Sequence, residues 1–340
     1  MQRYAVRGQA VFEPHDALKV RLIAAHSEIP GSKGSNEPDM FYGVVPAALN
    51  QAFGAPCPDD DPTNRRVCRN YASEVTLEAN EATLIVTYRF GDDYELTSLT
   101  SWDDYKMTQR SDADQLNVSL LDFNDRQASD ALQQELRITS PARGAVQWIA
   151  GAFYYESTFR RGGWDGHDFF VLGTAAPLVP LAPGVPFGQP GDAGDLLSTN
   201  DTEYVGVYGQ TTWNVTERFA VTAGARWQTE SKDTTVTHAL NHATPSLISI
   251  ALLPATVDAD LSRDRDAVTW SLTPQLFFTD DVMAYLTASH GFKSGGFNGD
   301  WGRVLPAQRE FNDEEVDHYE VGLKGELAEA ARAAQCRCVL

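Results

Sequence analysis

The sequence predicts an all-β protein, an antiparallel transmembrane β-barrel with long loops at one end and short turns at the other. Three observations carry that prediction. Apolar and polar residues alternate with a period of two rather than 3.6. Short and long connections alternate strictly along the chain. The alternating segments run about 10–18 residues, beyond the usual five or six of soluble sheets, which suits a tilted membrane crossing with an extension outside it.

The segments follow in order. The first hairpin is 3–12 and 17–28, turning at Glu13-Pro14-His15-Asp16. In its second arm Leu18, Val20, Leu22 and Ala24 oppose Lys19, Arg21, Ala25 and Ser27, with Ile23 the exception. The next pairs are 73–90 with 94–109 across Gly91-Asp92-Asp93, and 127–140 with 145–160 across Pro141-Ala142-Arg143-Gly144. Segments 201–214 and 219–234 turn at residues 214–218, and Val221, Ala223, Ala225 and Trp227 alternate with Thr222, Gly224, Arg226 and Gln228. Segments 264–278 and 282–293 turn at Thr279-Asp280-Asp281. The last segment, 315–327, is the cleanest: Tyr319, Val321 and Leu323 share one face, and His318, Glu320 and Lys324 the other. Between the hairpins lie connections at roughly 28–72, 110–126, 161–200, 235–263 and 294–314. Soluble domains seldom hold several structureless loops of that length, whereas outer-membrane barrels are built with them. Aromatics at or near strand ends, among them Phe12, Phe90, Tyr94, Trp102, Trp213 and Phe277, fit interfacial girdles.

Composition narrows the function classes. The net charge of −20, from 27 Lys and Arg against 47 Asp and Glu, disfavours nucleic acid as a partner. A mean hydropathy of −0.33 without an apolar run near 18 residues excludes a helical membrane bundle. Residues 1–8 show no apolar signal core and alternation begins near Tyr4, the pattern expected of a chain that has lost its beginning.

Few motifs point to chemistry. Cys57 and Cys68 flank a Pro/Asp/Asn-rich loop, a spacing that fits a loop disulfide in an oxidising compartment, with two free thiols as the alternative. Cys336 and Cys338 have no supporting ligands nearby in sequence. The clusters Asp313-Glu314-Glu315 and Asp59-Asp60-Asp61 lack the spacing of an oxygen-ligand cation loop and read as solvated. His318 and Glu320 read as part of a polar lumen face, and Ser294-Gly295-Gly296 as a strand end or bulge. Residues 160–170 mix cations, aromatics and histidine. Arg160, Arg161, Trp164 and His167 are the candidate contacts for an anionic or aromatic ligand at a barrel mouth, against the plainer reading of a solvated loop. No catalytic, cofactor or metal site is expected, and no enzyme activity.

Two motifs in series resemble the TonB-dependent outer-membrane receptors. One is the run Phe292-Lys293-Ser294-Gly295-Gly296-Phe297-Asn298. The other, some twelve residues on, is Phe311-Asn312-Asp313-Glu314 leading to Tyr319-Glu320-Val321-Gly322-Leu323-Lys324. Gln134 to Ser140 followed by Trp148 to Tyr155 resembles an earlier hairpin of the same barrel, as does Tyr208 to Trp213 leading into Phe219 to Trp227. The resemblance spans about residues 1–326 and leaves a non-family tail at 327–340. It implies a plugged 22-stranded barrel in the outer membrane of a Gram-negative bacterium. It also implies uptake of a large scarce nutrient such as a ferric siderophore, energised by the TonB–ExbB–ExbD complex. The sequence shows about eleven such strands, no plug domain and no segment for the energising partner. A partial barrel from a truncated or frame-disrupted gene is therefore the expectation. Competing expectations are a self-sufficient smaller outer-membrane pore or hydrolase, and a soluble β adhesin or lectin.

Overall fold

The computed structural model describes residues 3–33, 70, 72–114, 117–162, 169–178, 180–183, 185–241, 258–299, 306–326 and 333–339. Ten long strands form hairpin pairs: β1 (Tyr4–His15) with β2 (Leu18–Lys33), β3 (Glu74–Phe90) with β4 (Tyr94–Asp112), and β5 (Leu121–Thr139) with β6 (Val146–Gly162). After β7 (Phe170–Leu172), β8 (Pro180–Ala182) and β9 (Val185–Pro186) come β10 (Ala193–Thr216) with β11 (Phe219–Asn241), then β12 (Ala259–Thr279) with β13 (Val282–Lys293). The chain then runs through β14 (Gly296–Phe297), β15 (Glu310–Phe311), β16 (Glu314–Glu326) and β17 (Ala333–Val339).

One antiparallel sheet holds the long strands in the order β1-β2-β3-β4-β5-β6-β10-β11-β12-β13-β16-β17. All eleven expected segments are there. Several reach further at the long-connection end than alternation alone suggests, as β10 does in starting at Ala193 rather than near residue 201. The small strand β7 pairs with both β5 and β10, matching Phe123 to Phe170 and Gly194 to Phe170. It continues the lane that β6 occupies up to Gly162, so the ladder between β5 and β10 resumes at Phe170. Past the last expected segment the chain forms one more strand. β17 lies antiparallel to β16, from Glu326 opposite Ala333 to Glu320 opposite Val339. An unpaired strand edge offers its N–H and C=O groups to any extended segment within reach, whatever its side-chain pattern. Among the described residues β1 and β17 are each paired on one side only.

Cross-strand partners share a face, so the register sorts every side chain. Leu22 opposes Leu84, Leu96 opposes Ile138, Val207 opposes Trp227, Trp227 opposes Val268, and Leu286 opposes Val321. Most of this apolar set is exposed, Val321 at 55%, and it forms the outer face of the barrel. Its upper and lower margins are aromatic. Tyr94 and Trp102, Phe219 and Trp227, and Trp270 and Phe278 each bracket the band eight residues apart on β4, β11 and β12. Eight residues make about 27 Å along a strand, which at barrel tilt matches the apolar height of an outer-membrane wall. At the short-turn margin the rings of Tyr88, Phe90, Tyr94 and Trp148 lie in a row 5.8–6.2 Å apart. The turn between β3 and β4 closes through Gly91 at φ 56° and Asp93 at φ 72°.

The other face is lumenal and polar, and its groups satisfy one another. Thr83 and Ser101 are hydrogen-bonded at 2.8 Å, Thr212 and Thr222 at 2.9 Å, and Thr273 and Thr287 at 3.0 Å. The Tyr208 hydroxyl donates to Glu135, and that of Tyr285 to Glu320. His318 Nε2 lies 3.3 Å from Glu320 Oε2, as a polar lumen face requires. Both tyrosine rings lie flat across a glycine on the neighbouring strand, Tyr208 over Gly151 and Tyr285 over Gly322. A methyl group at either glycine would occupy ring space. Replacing Gly322 by Ala is expected to destabilise the barrel by about 1–3 kcal/mol through overpacking. Combining it with Tyr285→Ala should recover part of that loss. Urea unfolding midpoints of the two single variants and the double variant measure the coupling.

Candidate functional site: the inner wall of the mouth

Beyond the apolar band, at the long-connection end, the lumenal positions change character. On β11 they run Arg226, Gln228, Glu230, Lys232, Thr234, Val236, His238. Val236 joins Leu196 on β10 and Ala259 on β12 in a buried apolar cluster with Phe169, Phe170, Leu172 and Leu121. The connections therefore pack on the inner wall. Phe169 is fully buried, and its ring meets Phe123 edge-on at 4.8 Å.

Next to this cluster stands Arg161, one of the residues singled out from sequence. Its Nε donates to both oxygens of Asp125 at 3.1 and 3.2 Å, and its guanidinium lies 5.9 Å from the Phe169 ring centre. The Asp125 side chain is 4% exposed and also accepts from Gln127 Nε2 at 2.9 Å. Arg160 points to the opposite face of β6, where it lies 3.8 Å from Asp130 with both side chains about half exposed. Alternation along a strand separates the two arginines, and they do not converge on one ligand. Trp164, His167, Cys57 and Cys68 lie outside the described residues.

Sequence reasoning missed the densest charged constellation. Residues 294–299 and 306–313 fold back as a flap, with Gly296 opposite Phe311 and Phe297 opposite Glu310. Arg263, 14% exposed, binds Glu310 and Asp313, each at 2.7 Å. Arg265 binds Asp313 at 2.7 Å and Glu315 at 3.3 Å. Lys232 Nζ donates to the Gly295 carbonyl at 2.8 Å and to Ser294 Oγ at 3.1 Å, and pairs with Glu230 at 2.9 Å. Asp313 had been expected in a solvated acidic loop. Instead its side chain is 12% exposed and accepts the Gly295 N–H at 2.7 Å, because two strand arginines reach the end of the loop. Burial pushes its carboxyl up, but the Gly295 N–H, Arg263 and Arg265 outweigh burial and hold it below the ordinary carboxylate range. The sequence did contain a signal: Arg263-Asp264-Arg265-Asp266 alternates charge sign with a period of two, which puts cations on one face of a strand and acids on the other.

Among the described residues no group of three or more His, Cys, Asp or Glu side chains could hold a metal ion. What the wall offers is paired cations: Arg161, Lys232, Arg263 and Arg265 face inward at the mouth. Deeper in the lumen, Arg226 lies over the rings of Tyr204 and Phe153 at 5.0 and 5.6 Å.

Two outcomes test this geometry. Arg161→Met strands the buried Asp125 charge and should cost about 3 kcal/mol, read as a lowered unfolding midpoint and faster proteolysis near residue 169. A depressed Asp313 stabilises the flap at pH values above the ordinary carboxylate pKa. That contribution is lost as pH falls through the depressed value. The base of the flap should therefore resist mild acid in wild type, and Arg263→Met should move its release to higher pH, followed by hydrogen exchange of residues 312–315.

Comparison with known proteins places this geometry. The ferric yersiniabactin uptake receptor FyuA of Yersinia pestis superposes with a TM-score of 0.69 at 16% identity, over 96% of this chain and 43% of its own. The siderophore receptor PiuA of Acinetobacter baumannii gives 0.62 at 15%, over 96% and 48%. The ferric-catecholate import receptor Fiu of E. coli K12, in its closed form, gives 0.59 at 14%, over 96% and 49%. This chain thus spans a little under half the length of these structures, and at such identities they share its fold. A family profile described as TonB dependent receptor-like, beta-barrel matches residues 30–332. The chain belongs to the TonB-dependent receptor β-barrel family.

Proposed function

We propose that this barrel serves an outer-membrane receptor that takes up a large, scarce, anionic nutrient such as a ferric siderophore, energised by the TonB–ExbB–ExbD complex. The observation that carries the reading is the inner mouth: in a chain of net charge −20, Arg161, Lys232, Arg263 and Arg265 all face the lumen there. An incoming anion can compete with Glu310 and Glu315, which are half exposed, without breaking the buried contacts of Asp313. Residues 160–168 add a second contact region, with Arg161 on the wall and Trp164 and His167 following it in sequence. The apolar outer band and its aromatic margins suit the outer membrane of a Gram-negative cell.

Uptake of radioactive ferric siderophores by receptor-deficient cells tests the reading, using the intact protein that carries this barrel. Uptake should require TonB. Exchanging both Lys232 and Arg265 for Met should weaken ligand binding about tenfold or more, since contacts to charged groups contribute about 1.5–3 kcal/mol each. Uptake that persists in cells lacking TonB, or open-channel conductance in planar bilayers, would overturn it in favour of a diffusion pore.

A further inference from the structure

The flap also meets the inner wall away from Arg263 and Arg265. Arg309, at its outer end, is 0% exposed, and its Nη1 donates to the Asn298 carbonyl at 2.8 Å. Asn298 N–H in turn donates to the Arg309 carbonyl at 2.8 Å, so the flap closes on itself. Gly299 sits against Ser198 and Asn200 of β10 so closely that a methyl group there would overlap the Ser198 hydroxyl. One register row further along the same wall, His238 of β11 opposes Leu196. His238 is 1% exposed, and among the described residues neither ring nitrogen has a hydrogen-bond partner.

A buried imidazole with two unpartnered nitrogens holds its place only while neutral, because a charge there would have neither water nor an acceptor. Arg309 of the flap bears on this imidazole with a like charge, and Asp258, just before β12, with an opposite one. On β10 the facing residue is Leu196, and Asp195 beside it belongs to the other face by alternation. Burial pushes the imidazole below its ordinary value, and Arg309 pushes it further the same way; Asp258 opposes them without reversing the direction. For a base depressed in the folded state, stability is full above the unfolded value and is lost as pH falls through the folded one.

We propose that the flap is a pH-sensitive latch on the inner wall of the mouth. Neutral His238 lets Arg309 lie against the wall, and a proton on His238 drives the outer end of the flap away while Arg263 and Arg265 keep its base tied. The two anchors answer to different pH ranges. The carboxyl of Asp313 lies below the ordinary carboxylate range and stays charged through mild acid. The latch therefore opens from its outer end, exposing the wall around Ser198, Thr234 and His238, and remains attached at Asp313.

Hydrogen–deuterium exchange of the full chain in detergent micelles tests this without any ligand, so its failure is separate from failure of the uptake reading. Labelling at pH 7.5 and pH 5.5, with times scaled for intrinsic exchange, should show amides at 296–299 and 307–311 exchanging about tenfold faster in acid. Amides in β16 should be unchanged. In His238→Gln, which stays neutral, the outer end should keep its protection at both values. Arg309→Gln is the second variant: it removes the like charge and should shrink the acid effect. Heat-modified electrophoretic migration reports that each variant is folded. Equal protection of wild type at the two pH values would overturn the latch. So would acid release undiminished in His238→Gln, or simultaneous release of outer end and base.

Discussion

Backbone hydrogen bonding governs this molecule. A strand in lipid has no water to satisfy its N–H and C=O groups, so each must pair on both sides. The described sheet is continuous in strand order from β2 to β16, and its ladder in the apolar band breaks at Thr273 and Pro274 of β12, where proline has no N–H to give. The lane that β6 occupies up to Gly162 is taken up again by Phe170–Leu172 between the same two neighbours. At Gly162 φ is 132°, and a side chain there would run into the Leu196 carbonyl. Pairing fixes the register, the register fixes which side chains share a face, and the faces separate lipid from lumen.

That separation organises the charge. Outside the aromatic margin, the outer face carries Asp130 opposite Thr158, Thr158 opposite Asp201, and Asp201 opposite Asp233. Carboxylates directly across a pair of strands repel by a fraction of a kcal/mol, which water tolerates. Thr158 relieves part of it by donating to Asp201 at 2.6 Å. On β6, β11 and β12 the lumenal positions hold Arg161, Lys232, Arg263 and Arg265, each paired with a carboxylate. The inner mouth thus carries both signs in close pairs.

The fold was legible because the barrel repeats one rule. Alternation in 318–327 put Tyr319, Val321 and Leu323 on one face, and all three stand on the exposed outer wall. Ile23, the apolar exception in the polar register, is buried on the inner side. The TonB-dependent receptor resemblance rested on Phe292 to Asn298 and Phe311 to Lys324, and the family match covers both. Legibility failed where one rule gave way to another. Strand ends beyond the band were read as loop, as at 193–200 and 259–263, because their lumenal positions turn apolar or charged once connections pack on them. β17 was not visible because edge pairing needs no side-chain pattern. In the site, Arg161 was found by composition and Arg160 was grouped with it by proximity in sequence, although neighbours on a strand face opposite ways. Asp313 was misread because its partners lie some fifty residues upstream, on β12.

The change of character along each lumenal row also says why the mouth is the place for a switch. In the membrane band the inner wall is closed by strand-to-strand pairs such as Tyr285 with Glu320, independent of any connection. At the mouth the wall is completed by segments distant in sequence, the 169–178 connection on one side and the flap on the other. The first is held by apolar burial around Phe169 and Leu196, which responds little to pH or to ions. The second is tied by Lys232, Arg263 and Arg265, contacts that depend on charge. In the proposed latch an anion or a proton acts on charged contacts at the flap while the barrel beneath keeps its hydrogen bonds.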